Sequence, residues 1–231
     1  MERPIPEPAM TFFDPPTTPG RVKAKICGFT DAEEAEKAIA LGADALGINF
    51  WPKSKRYLSL ADGLPWLRPL AGTVTRIGVF VNATEDEIAA TLDSGAIDAA
   101  QLHGDESPEQ VSALIERGYH AFKALGVKDH TMLERAAEFP GETLLLDAWA
   151  PVEYGGTGET MDWALGREAV TRWPDRRIVL AGGLTPDNVG DAIRQVHPFG
   201  VDVASGVESG IPGRKDLDKV AAFLEAVREI G

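Results

Sequence analysis

The stretch VKAKICGFT, residues 22–30, alternates side-chain character for six residues and then stops at Gly28, with the chain's single cysteine, Cys27, at the junction. Such alternation reads as a strand with Lys23, Lys25 and Cys27 on one face and Val22, Ala24 and Ile26 on the other. A lone cysteine has no thiol partner for an intramolecular disulfide or a CxxC pair, so any chemistry at Cys27 uses a partner of another type.

Working outward, the same kind of run recurs: DALGINF from 44, TRIGVFV from 75, DAAQLH from 98, HAFKAL from 120, TLLLDAW from 143, RIVLAGG from 177 and GVDVAS from 200. Successive starts are separated by 22, 31, 23, 22, 23, 34 and 23 residues, room for one strand and one helix each time. Helix starts lie between them. Thr30 with Glu33, Thr84 with Glu87 and Ser107 with Gln110 have capping-box spacing, Pro108 follows Ser107, and Thr185-Pro186-Asp187 reads as a further N-terminus. Eight such units predict an α/β fold, a single (β/α)8 TIM barrel over residues 21–231. An open doubly wound sheet is disfavoured because no GxGxxG follows the first strand.

Composition is that of an ordinary globular chain: 231 residues, 44% hydrophobic and 26% charged. Residues 1–20 carry six of the sixteen prolines and lack the basic start and apolar core of a secretory signal; they read as a disordered or loosely docked tail, in which Phe12 and Phe13 could dock on the body but the composition favours disorder. No apolar run is long enough to span a membrane. With 23 Lys and Arg against 36 Asp and Glu, the net charge of −13 argues against nucleic-acid and membrane partners. A cytoplasmic monomer acting on a phosphorylated small molecule is the expected form. Positive charge is concentrated in KSKR, residues 53–56, with no acid between Asp44 and Asp62.

Barrel active sites lie at the C-terminal strand ends, where Cys27 falls. Strand parity turns Leu145 and Asp147 inward and Leu144 and Leu146 outward, with Gln101 and His103 sharing a face and Asp202 and Ala204 another. Cys27 and Asp147 are expected to face each other across the mouth as base and acid. The plainer alternatives are an inert buried thiol and a carboxylate that caps a helix or forms a loop salt bridge. Lys25, one inward position below Cys27, is expected to lower the thiol pKa, itself held by Asp202; the leucine surroundings of Asp147 are expected to raise that of the carboxyl. His103 is expected to support the site. LAGGL (180–184) leading into a helix at Thr185, and ASGVE (204–208), resemble the phosphate turns that follow strands seven and eight of many barrels. Arg56 has a planar fork suited to a carboxylate. The glycine-rich loop EYGGTGETMDW (153–163) reads either as a cover for ligand or as a flexible connection.

KICGFT, GADALGINFWPKSKRYLS, RIGVFVN, QLHGDE, LLDAW followed by YGGTG and DW, LAGGLTPDNV, and VDVASGVE followed by GRKD, in this order, resemble the phosphoribosylanthranilate isomerases of tryptophan biosynthesis. The resemblance implies a barrel catalysing a cofactor-free, metal-free Amadori rearrangement. It also implies Cys27 as general base, Asp147 as general acid, Arg56 as the site for the anthranilate carboxylate, and Gly182, Gly183, Ser205 and Gly206 as the phosphate site. Competing readings are a histidine-pathway or dual-substrate aminoribose-phosphate isomerase, and a non-catalytic phosphosugar-binding protein with a redox-responsive thiol.

Overall fold

The computed structural model describes residues 11–148 and 161–230. Eight parallel strands close into a barrel in the order β1 to β8: Lys23–Cys27, Ala45–Asn49, Thr75–Phe80, Ala99–Leu102, Ala121–Val127, Thr143–Ala148, Arg177–Leu180 and Gly200–Val203. Each falls within or beside one of the eight recurring runs. Eight helices alternate with them: α1 Ala32–Ala40, α2 Leu60–Leu67, α3 Glu85–Asp93, α4 Pro108–Glu116, α5 His130–Ala136, α6 Trp163–Arg172, α7 Val189–Val196 and α8 Leu217–Ile230. Among the described residues no helix is long and apolar enough to cross a membrane.

Two apolar cores follow from strand parity. Ile26, Leu46, Ile48, Leu144 and Leu146 join the helices in the outer core, whereas Ala45, Ile77, Ala99, Phe122, Ala124, Leu145, Val179 and Ala181 fill the barrel. Closure is made by β1 pairing with β8 in the register Lys25 to Asp202. The closed order sets β5, not β6, diametrically across from β1, so Asp147 stands one strand nearer to Cys27 than direct opposition requires.

The capping boxes at Thr84 with Glu87 and Ser107 with Gln110 both form. Two other helix starts differ from expectation. α1 is capped by Asp31, which accepts from the Glu34 N–H, while the Thr30 hydroxyl donates to the Gly213 carbonyl at 2.9 Å. A carboxylate one residue on offers the free N–H groups a charged acceptor, leaving the hydroxyl to tie the loop after β8 to β1. α7 begins at Val189 rather than Thr185, because Asn188 folds residues 185–188 into a turn: its Oδ1 accepts from the Thr185 N–H at 2.8 Å and its Nδ2 donates to the Gly183 carbonyl at 2.9 Å.

The expected disordered tail over 1–20 is corrected in its second half. Phe12 and Phe13 are buried in the interior core at the N-terminal end of the barrel. The Phe12 N–H donates to Thr75 Oγ1 at 2.7 Å, Lys23 Nζ donates to the Thr11 carbonyl at 3.3 Å, and Phe13 stacks on His120 with ring centroids 4.0 Å apart. Gly200 leaves the space that Phe12 fills, since a Cβ there would lie 3.0 Å from Phe12 Cζ. Two aromatic side chains gain enough by leaving water to order a segment whose prolines read as a tail. Residues 1–10, and residues 149–160 of the loop after β6, lie outside the described residues. Phe12→Ala is expected to lower the unfolding free energy by about 3 kcal/mol in urea denaturation, the usual cost of emptying a buried phenylalanine site. A loss no larger than that of an exposed substitution would contradict the docking of this segment.

Candidate active site

At the C-terminal mouth a cavity of about 550 Å³ is lined by Cys27, Arg56, His103, Asp147, Asp202 and Ser205, with Lys53, Lys55 and Lys219 also on its wall. The basic run of an otherwise acidic chain therefore faces this cavity, where its charge favours an anion. Gly182, Gly183 and Gly206 stand apart from that lining and shape the adjoining turns.

Cys27 ends β1, and Gly28 takes φ +85°, turning the chain sharply away from the sulfur. A Cβ on Gly28 would come within 2.5 Å of Arg56 Cδ, so the bare backbone lets the loop after β2 lie against the end of β1. Across the sheet Gly47 faces Cys27 in register, and a side chain there would meet the sulfur at 2.5 Å. The thiol sits in space cleared by neighbours without side chains.

Below it, Lys25 is buried and its Nζ bonds Asp202 Oδ1 at 3.0 Å, as the parity of strands one and eight predicts. The expected thiolate does not follow. Burial pushes the Cys27 thiol above its ordinary value, Lys25 and Lys215 pull it down, and Asp202 pushes it up again. Burial outweighs Lys25, whose charge is already paired with Asp202; burial lowers the pKa of the ammonium itself, but Asp202 and Cys27 hold it above normal.

Asp147 behaves as expected. Burial first, and then the charge of Asp202, raise its carboxyl to about 7, against the lowering effects of the Ala148 N–H and Lys25. That N–H donates to Oδ1 at 2.8 Å, and His103 Nε2 lies 3.5 Å from Oδ2. Burial, Lys123 and Lys25 drive the His103 pKa down to about 3, so the imidazole is neutral where Asp147 titrates. Gln101 Nε2 lies 3.4 Å from His103 Nδ1; a donating amide there puts the ring proton on Nε2, facing Asp147. His103 is thereby a neutral neighbour of the carboxyl, without the stabilisation of its anion that an imidazolium would give.

Arg56 is placed at the cavity by its loop, but its fork is engaged within the chain: Nε and Nη2 donate to the two oxygens of Glu208 at 2.7 and 2.8 Å. Glu208, together with Lys215 and Asn188, was missed by strand parity because all three lie on connections, which have no periodicity; the only signal was their presence in VASGVE, GRKD and LTPDNV.

The two glycine turns meet behind Ser205. Gly182 and Gly183 take φ +85° and +63°, and a Cβ on Gly206 would overlap the Leu184 carbonyl. Their backbones pack directly together, with Asn188 bracing one and a short 3₁₀ turn, Ser205–Val207, forming the other. Paired turns of this type present backbone N–H groups to an anion.

A closed parallel barrel with a thiol, a near-neutral carboxylic acid and a cationic wall on one cavity defines a barrel enzyme that moves protons on a small anionic ligand. A profile of the N-(5'-phosphoribosyl)anthranilate (PRA) isomerases matches residues 24–226. The N-(5'-phosphoribosyl)anthranilate isomerase of Trichlorobacter lovleyi is 44% identical over 208 residues, covering 90% of this chain and 98% of that one. The crystal structure of phosphoribosyl anthranilate isomerase from Thermotoga maritima superposes with a TM-score of 0.81 at 41% identity, covering 90% and 99% of the two chains. A structure of the isomerase in complex with reduced 1-(o-carboxyphenylamino)-1-deoxyribulose 5-phosphate gives 0.77 at 38% identity, with the same coverage. The chain belongs to the N-(5'-phosphoribosyl)anthranilate isomerase family.

Asp202→Asn is expected to shift the pH midpoint of Cys27 alkylation downward, because it removes an anion near the sulfur. An unmoved or raised midpoint would contradict this electrostatic assignment.

Proposed function

We propose that the chain carries out the Amadori rearrangement of N-(5-phosphoribosyl)anthranilate to 1-(2-carboxyphenylamino)-1-deoxyribulose 5-phosphate, in tryptophan biosynthesis, with Cys27 and Asp147 as its proton-transfer pair. The observation that carries the residue assignment is the carboxyl of Asp147, raised to about 7 on the same cavity as the thiol.

In this reading Asp147 donates its proton to the ribose ring oxygen. The bond from that oxygen to C1 breaks while the nitrogen lone pair forms the C1–N double bond, giving an open-chain protonated Schiff base and a carboxylate at Asp147. The thiolate of Cys27 then takes the C2 proton. The electrons left behind form the C1–C2 double bond and return the nitrogen lone pair, and the resulting enolamine tautomerises to the ketone. The acid step needs a carboxyl still protonated near neutrality, which burial and Asp202 supply. The base step uses the minor thiolate fraction of Cys27, and the cationic Schiff base beside it makes both the thiolate and the C2 anion less costly. His103 holds the carboxyl in place from Nε2.

Arg56 takes the anthranilate carboxylate on its planar guanidinium, and the turns bearing Gly182, Gly183, Ser205 and Gly206 take the phosphate. Lys53, Lys55 and Lys219 around the same opening favour a substrate with both anionic groups. The enzyme acts in the cytoplasm as a monomer; the isomerase of Thermotoga maritima is described as dimeric, and sedimentation of this chain as a dimer would overturn the monomer.

Cys27→Ser and Asp147→Asn are each expected to lower kcat by about 100-fold or more in the fluorescence assay of phosphoribosylanthranilate consumption, the scale of a positioned acid or base. Near wild-type turnover in both variants would overturn the acid–base assignment. Arg56→Ala is expected to act mainly on KM.

A further inference from the structure

Glu208 is an almost fully buried carboxylate that accepts from four donors on three residues. It accepts from Arg56 Nε at 2.7 Å and Nη2 at 2.8 Å, from the Gly213 N–H at 2.9 Å, and from Lys215 Nζ at 3.3 Å. Backbone pairing between Glu208 and Lys215 holds the two residues side by side. Lys215 is itself buried, over the face of Phe29, and its Nζ also donates to the Cys27 carbonyl at 2.5 Å and the Ala204 carbonyl at 3.3 Å. One carboxylate thus joins the loop after β2, the C-terminal end of β1 and the end of β8. Burial opposes its charge, but Arg56, Lys215 and Gly213 outweigh burial and hold Glu208 ionised.

We propose that Glu208 is a positioning residue for carboxylate recognition: by gripping the Nε–Nη2 edge of Arg56 it fixes the plane of the guanidinium, and through Lys215 it fixes that plane relative to the peptide carrying Cys27. The inference rests on the reading above that Arg56 takes the substrate carboxylate. Arginine is a long side chain with many rotamers, and a fork presented in one orientation loses less freedom when it meets a planar carboxylate. Arg56 and Lys215 both pair with this one carboxylate.

Glu208→Gln tests it. The amide oxygen can still accept from Gly213 and Lys215, but its NH₂ group meets an arginine donor and the fork is lost. The variant is expected to raise KM for phosphoribosylanthranilate by about tenfold with kcat within about twofold, and to leave binding of ribose 5-phosphate, which lacks the aryl carboxylate, unchanged. In an Arg56→Ala background the same change is expected to add nothing to KM. A wild-type KM in Glu208→Gln, an equal rise in the Arg56→Ala background, or loss of ribose 5-phosphate binding would each overturn the role given to Glu208 while leaving Arg56 in place. A wild-type KM in Arg56→Ala alone would instead remove the carboxylate reading of Arg56, and this inference with it.

Discussion

The pairing of β1 with β8 is the constraint on which the rest depends. It closes the sheet, and its register sets Lys25 beside Asp202, where the ammonium and carboxylate meet at 3.0 Å inside the barrel. Removing either partner would leave the other charge buried alone, a far greater cost than the pair gains over water. This internal ion pair also governs both reacting groups above it. Asp202 contributes to the raised pKa of Asp147 and opposes the effect of Lys25 on Cys27. Burial does most to raise both groups, and Asp202 of this pair adds to it at each.

A mostly neutral thiol and a mostly neutral acid suit a site that must receive a ligand with two anionic groups. Were Cys27 and Asp147 both ionised, the cavity would add two like charges to those of the substrate. Positive charge is instead placed around the opening and behind Arg56, at Lys53, Lys55, Lys219 and Lys215. Glu208 ties Arg56 and Lys215 together, and Lys215 reaches the backbone at Cys27, so that in the proposed reading recognition of the carboxylate and proton abstraction share one frame.

The eight strands were legible because period-two alternation and a steady spacing are imposed by closure itself: a residue such as Leu145 cannot face the helices without reversing its whole strand. The same parity found Lys25, Cys27, Asp147 and Asp202. What it could not find lies where periodicity ends. Glu208 reaches Arg56 across 152 residues of chain, and the contact belongs to two loops. Thr30 and Asp31 are both good caps, and only the position of the loop bearing Gly213 decides between them. The state of the Cys27 thiol needed the depth of burial, a quantity that residue identity does not carry. Phe12 and Phe13 were legible as groups that could dock, but the prolines around them weighed toward disorder, since composition averages over a segment in which two side chains decide the outcome.

The account turns on Asp147 being a carboxylic acid near neutrality, and its protonation can be watched directly. Infrared difference spectra of the wild-type chain against Asp147→Asn, recorded across pH, isolate the carbonyl stretch of this one carboxyl. The account predicts that the protonated band disappears with a midpoint at about 7. A midpoint in the ordinary range of an exposed aspartate would contradict it.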